Sequence, residues 1–165
     1  MHRLLLILTL ALVPALLRAQ QAGPLASRPR AVPFEHFHTG AGSFTSYSGI
    51  DDSLRTVVRD AEGWKRTWRA IHRRVSPVPP VPAIDFGREM VVVAALGARP
   101  TGGFSIRVDS VIDAGDALEV VIRKDIPGAG CFLSAALTQP LDLALLPARP
   151  LPVRFRDRTV AERCE

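Results

Sequence analysis

The clearest pattern in the chain is a series of short apolar runs separated by glycine and proline. EMVVVAALG at 89–97 is apolar almost throughout, as expected for a strand that is covered on both faces. FSIRVDSVI at 104–112 and ALEVVIRKD at 117–125 alternate apolar and polar residues, as expected for strands with one buried face. Further strands are predicted at 34–50, 54–58, 131–140, 141–147 and 151–157. This spacing predicts an antiparallel β-sandwich or a barrel-like sheet.

One segment, DAEGWKRTWRAIHRR at 60–74, has the periodicity of a helix. Asp60 is a suitable N-cap, and Trp64, Trp68 and Ile71 recur at a spacing that places them on one face. We interpret the two tryptophans as anchors that dock the helix onto the sheet; a ligand platform is the alternative. The proline-rich segment at 75–86 predicts an extended surface connection, with a polyproline ligand as the alternative. The predicted fold class is mainly β with one helix (α+β).

The N-terminus has the layout of a secretory signal peptide. A short basic start precedes the apolar run at 4–17, and Ala19 offers a small residue at a cleavage position. The run is shorter than a membrane span of about 20 residues, and Pro14 interrupts it. A retained anchor is the alternative. We therefore predict a signal peptide at 1–19, a flexible linker at 20–33 and a single β domain at 34–165. The expected location is the periplasm, cell surface or medium, with no stable membrane span after cleavage.

Composition and charge are consistent with this picture and argue against one class of function, nucleic-acid binding. The 165 residues are 47% hydrophobic, enough for one domain with a real core. The formal net charge is +5, and removal of the predicted signal peptide leaves 19 basic against 16 acidic residues. Nucleic-acid binding needs clustered basic residues together with a recognisable motif, and the sequence offers no such motif. A nucleic-acid partner is therefore not predicted.

The chain contains two cysteines, Cys131 and Cys164. An even count in an exported protein favours a disulfide. The bond would close a loop of about 33 residues and stabilise the fold by roughly 3–4 kcal/mol. It would also tie the C-terminal tail to the body of the domain. Two unpaired thiols are the alternative.

The junction between two predicted strands contains Pro100, Thr101, Gly102, Gly103 and Phe104. Pro100 and Thr101 suit the central positions of a tight turn, and Gly102 is suited to a positive φ. Gly103 permits a bulge before Phe104 enters the core or the base of the loop. A hairpin turn explains the segment. However, the second glycine also leaves backbone groups available to a partner, so a binding loop is the other interpretation.

A search for catalytic or metal-binding groups predicts neither. His36 and His38 would share one face of a strand and, with His72 or Asp52, could bind a metal. Surface histidines at a strand edge are the ordinary explanation. Ser134 lacks the sequence context of an activated nucleophile. We therefore predict a non-enzymatic protein without a cofactor or a metal; a hydrolase or a metal-dependent enzyme is the alternative.

Four segments, WKRTWRAIH, IDFGREMVVVAALGARPTGGFSIRV, LEVVIRKDIPGAGC and TQPLDLALLP, occur in this order. Together they resemble the C-terminal domain of the PrcB family of protease-complex subunits, over about Ser48 to Phe155. The resemblance implies an exported bacterial protein that associates with or stabilises an extracellular protease. Many members are attached to membranes by a lipidated Cys, and no Cys stands directly after the apolar run here.

The segment RPTGGF also resembles the NPTTGY loop that chagasin-type inhibitors present to cysteine peptidases. Pro100, Thr101 and Gly103 match, Phe104 matches as an aromatic residue, and Arg99 and Gly102 depart from the motif. The predicted function is therefore an accessory protein bound to a protease. The alternatives are a protease inhibitor that presents Pro100–Phe104 and a structural envelope protein.

Overall fold

The computed structural model describes residues 28–37 and 46–164, so the predicted signal peptide and His38 lie outside the described residues. The elements are β1 Arg30–Ala31, β2 Glu35–His36, β3 Leu54–Val58, α1 Ala61–Ile71, β4 Glu89–Ala95, β5 Ser105–Asp113, β6 Leu118–Pro127, β7 Leu141–Pro147 and β8 Val153–Glu162. Strands β1-β5-β6-β8 form the first sheet, and β2-β7-β4-β3 form the second. The fold is mainly β, and the described residues contain a single helix, as predicted.

Strand β4 lies in the middle layer of a three-layer arrangement. Met90, Val92 and Ala94 pack into the core between the two sheets. The alternate residues, Val91, Val93 and Ala95, pack against the helix on the other face of the second sheet. Both faces of β4 are therefore buried, which explains its uninterrupted apolar sequence.

Within the described residues, the first sheet is covered on one face only. Ile106, Val108, Val120 and Ile122 point into the core between the sheets. The residues between them are exposed or half-buried. This is why β5 and β6 alternate in sequence while β4 does not.

The helix docks through its tryptophans, as predicted. Asp60 caps it by accepting a hydrogen bond from the Gly63 N–H at 2.7 Å. Trp64 and Trp68 are only 2% and 1% exposed, which excludes a ligand platform. Their indole N–H groups donate to carbonyl oxygens of Pro82 and Pro79 at 3.0 and 2.9 Å. The proline-rich segment therefore packs over α1 and satisfies its buried donors.

Strand β8 differs from the prediction because it runs parallel to β6, in a sheet expected to be antiparallel. After β6 the chain crosses to the second sheet, forms β7, and returns beside β6 in the same direction. Such a crossover permits parallel pairing, which a tight hairpin does not.

Two further segments differ from the predicted layout. Residues 30–31, placed in the linker by their composition, pair with β5, and Val32 is buried in the core. Residues 131–137, predicted as part of a strand, form no strand and lie mostly on the surface. Their apolar run resembles β4 in sequence, but no second layer of the described structure covers it. Within the described part of the chain, no helix has both the length and the hydropathy to span a membrane.

Candidate functional site

The segment Pro100–Phe104 connects the two sheets. It leaves β4 in the second sheet and enters β5 in the first, so the predicted hairpin turn is wrong. These strands pack face to face, and the chain must cross between layers. Gly103, with φ at +84°, takes the left-handed conformation that was predicted for Gly102.

The backbone of this loop is braced by the segment that precedes β7. The Gly102 N–H donates to the Ser134 carbonyl at 3.0 Å. The Thr138 hydroxyl donates to the Thr101 carbonyl at 2.9 Å. Arg99 and Thr138 exchange two backbone hydrogen bonds. The prediction that this loop offers free backbone groups is therefore wrong for the Gly102 N–H, and the Thr101 carbonyl also has a partner inside the protein.

The tip of the loop remains accessible to a partner. Pro100 and Gly103 are exposed, while Thr101 and Gly102 are half-buried. Phe104 packs against the core between the sheets and anchors the base of the loop. The loop is therefore rigidly supported but open at its outer edge.

The bracing segment, Cys131–Leu137, carries the two most exposed large apolar side chains of the described residues, Phe132 and Leu137, together with Leu133. Phe132 is fully exposed, and Leu137 and Leu133 are 59% and 39% exposed. A Cβ atom placed on Gly103 would lie 2.7 Å from Leu133 Cδ2, so the two segments touch. We call Pro100–Phe104 and Cys131–Leu137 together the docking surface.

The disulfide predicted between Cys131 and Cys164 is present, with the two Cα atoms 5.0 Å apart. It holds the start of the bracing segment against the chain that follows β8. Contacts with the loop hold the middle of the segment, and Thr138 holds its end. The exposed side chains therefore project from backbone that is held in place at several points.

The charged groups at the base of the loop form satisfied ion pairs. Asp125 accepts hydrogen bonds from Arg123 at 2.6 Å and from the Ser105 hydroxyl at 2.8 Å. Burial raises the pKa of Asp125, but these two hydrogen bonds and the charges of Arg123 and Arg107 together outweigh burial and hold the pKa below its usual value. A carboxylate that stays ionised in this way is not suited to act as a general acid.

Two of the histidines considered for metal binding, His36 and His72, have different partners. The His36 ring lies 3.0 Å from the Asp142 carboxylate, whereas His72 is buried at the end of α1 with its ring 2.9 Å from the Trp68 carbonyl. Asp52 is exposed. Among the described residues, no group of three or more potential metal ligands converges.

Sequence reasoning missed the exposed side chains Phe132, Leu133 and Leu137, because their apolar run was assigned to a strand. The lack of alternation does not distinguish this run from β4, which is also apolar almost throughout but is buried on both faces. Sequence reasoning also missed Asp142. Its carboxylate accepts a hydrogen bond from the Val108 N–H at 2.7 Å, beside the bulge in β5.

The docking surface and the strands that carry it form one continuous stretch of chain. Residues 90–147 match the PrcB C-terminal family model. The match confirms over this stretch the resemblance seen in the sequence, and it contains both halves of the docking surface. No curated protein matches the chain, and neither does any solved structure. Helix α1 and strands β3 and β8 lie outside the PrcB C-terminal match.

Proposed function

We propose that this chain is an exported, non-catalytic accessory subunit that binds an extracellular protease through the docking surface. The PrcB C-terminal match supports a role in a protease complex. The observation that carries the proposal is the fully exposed Phe132, held on braced backbone beside the loop tip.

Exposed aromatic side chains on fixed backbone are suited to act as binding anchors. Burying a phenylalanine side chain is favourable by about 1.5–3 kcal/mol. The disulfide and the hydrogen bonds from Gly102 and Thr138 already order the segment, so binding loses little further conformational entropy. Aromatic anchors dominate the energetics of many protein interfaces. Phe132 is therefore the proposed hot spot, with Leu133 and Leu137 around it.

Export is part of the same proposal. The apolar N-terminal run has the layout of a signal peptide. The Cys131–Cys164 bond supports this part, because disulfides persist mainly in oxidising compartments outside the cytosol. N-terminal sequencing of the protein from the source organism tests it. A mature chain that begins near residue 20 supports export, and an intact Met1 recovered from the cytosol contradicts it.

Affinity capture with matched variants tests the proposed partner. Tagged protein is recovered from the envelope and medium, and bound proteins are identified by mass spectrometry. We expect a protease with the wild type and its loss with the double variant Phe132→Asp/Leu137→Asp. The control Val78→Asp/Val81→Asp changes two exposed apolar residues of the proline-rich segment and should retain the protease. Capture of no protease, or equal capture by both variants, contradicts the proposal.

Protease inhibition is the second candidate, favoured by the exposed and rigidly braced tip at Pro100 and Gly103. Inhibitory loops gain affinity when they are held in the bound conformation. Titration of the chain against papain-like and trypsin-like enzymes separates the two candidates. An accessory subunit leaves these activities unchanged. An inhibitor lowers them, and replacing Gly102 and Gly103 with alanine then weakens the effect.

A further inference from the structure

Strand β8 forms one edge of the first sheet. Among the described residues it pairs with β6 alone. It is ten residues long, whereas natural proteins usually keep exposed edges short. Alternate residues of an edge strand direct their N–H and C=O groups away from the sheet. The outer edge of β8 can therefore accept a further strand.

A groove lies beside this edge. Strand β3 is the edge of the second sheet on the same side of the sandwich, and Arg55 of β3 pairs with Asp157 of β8 at 3.1 Å. The groove between the two edges is open to solvent and mostly apolar, with walls that include Val57, Leu151, Val153 and Phe155. A strand added to β8 would place every second side chain over this groove.

The outward face of β8 is basic. Arg154 and Arg158 pair with Asp116 at 2.9 Å and Asp109 at 3.1 Å. Arg156 lies between them, is exposed, and has no ion-pair partner among the described residues. An added strand would therefore face three arginines on its outward side, one of them unpaired.

Charge disfavours a second copy of this chain at this edge. Antiparallel pairing of β8 with itself, centred on residue 156, places Arg154 opposite Arg158 and Arg156 opposite Arg156. Centring on residue 157 places Arg156 opposite Arg158. Like charges directly opposite each other destabilise a strand pair, whereas acidic residues at these positions would be attracted.

We propose that the open side between β3 and β8 binds an extended segment of a partner protein in which acidic and apolar residues alternate. The segment adds to β8 as a strand, with its acidic residues beside the arginines and its apolar residues over the groove. This site lies along the edge of β8 and approaches the docking surface only at the C-terminal end of that strand, and it goes beyond the function proposed above.

Synthetic peptides test the charge requirement. The probe is a fluorescent ten-residue peptide of alternating Glu and Val, and the control peptide has Lys in place of Glu; binding is followed by anisotropy. We expect saturable binding of the Glu–Val peptide and at least about tenfold weaker binding of the Lys–Val peptide. Arg156→Glu should weaken binding about fivefold. The same change at Arg69, on the exposed face of α1, should leave binding within about twofold.

N-methylated peptides test the strand addition itself. One Glu–Val peptide is methylated at its Glu nitrogens and the other at its Val nitrogens. Only one set of N–H groups faces β8 in an added strand, so only one methylated peptide should lose binding. Equal affinity of the two methylated peptides, or no saturable binding of the parent up to about 1 mM, overturns the proposal. If sedimentation velocity shows a dimer of this chain that the Glu–Val peptide dissociates, the site is occupied by a second copy. That result overturns the choice of a partner protein as occupant.

Discussion

Removal of the disulfide is the perturbation whose size the structure predicts most directly. The bond joins residues 33 apart in sequence, Cys131 and Cys164. In the chain-entropy model, releasing a loop of that length lowers the free energy of unfolding by about 3.7 kcal/mol at 25 °C. Cys131 is only half-buried and Cys164 is exposed, so replacing the sulfurs removes little packing. The double variant Cys131→Ser/Cys164→Ser should therefore show nearly the full entropic loss.

Urea denaturation followed by tryptophan fluorescence measures this loss, because Trp64 and Trp68 are both buried in the folded state. The wild type in reducing agent is the matched control and should lose the same free energy, since it lacks the same bond. A loss below about 1 kcal/mol in the double variant would refute the reasoning. A reduced wild type that remained as stable as the oxidised protein would refute it as well.

Three further predictions concern the core, the loop and the surface charges. Trp68→Ala should lower the free energy of unfolding by about 3–5 kcal/mol in urea denaturation, because the ring is 1% exposed. Gly103→Ala should cost about 1–2 kcal/mol because φ is +84°, and no measurable loss of stability would contradict the assigned conformation. Burial raises the pKa of Asp157, but its ion-pair partners, including Arg55, together outweigh burial and lower the pKa. The ionised Asp157 therefore contributes its full stability above the unfolded-state pKa of about 3.9, and this contribution is lost as pH falls through the lower folded pKa. The measurement is the free energy of unfolding as a function of pH, for the wild type and for Asp157→Asn. If the variant loses as much stability in acid as the wild type does, the assignment is contradicted.

The sequence predicts those features of the fold whose signals are local. Asp60 and the tryptophan spacing place a helix at 60–74, and it is found at Ala61–Ile71. The apolar run at 89–97 predicts a strand buried on both faces, which β4 is. In each case the spacing of apolar residues within the segment is sufficient to predict the element, because that spacing follows from which faces of the element are covered.

The features that the sequence did not predict depend on contacts between distant segments. The parallel course of β8 depends on the crossover through β7. The exposure of Phe132 depends on the absence of a layer above it, which its apolar neighbours do not reveal. The choice of Gly103 over Gly102 for the positive φ depends on how the loop crosses between sheets. Half of the candidate site, the Pro100–Phe104 loop, was therefore predicted, and the bracing segment beside it was not.

Photocrosslinking at residue 132 tests the proposed docking surface most directly. Phe132 is replaced in the source organism by benzoylphenylalanine, which keeps the aromatic side chain, and Val78 is replaced in a control strain. The account predicts a light-dependent adduct with an extracellular protease from position 132 and none from position 78. The absence of a protease adduct from position 132, or the same adducts from both positions, would contradict the account.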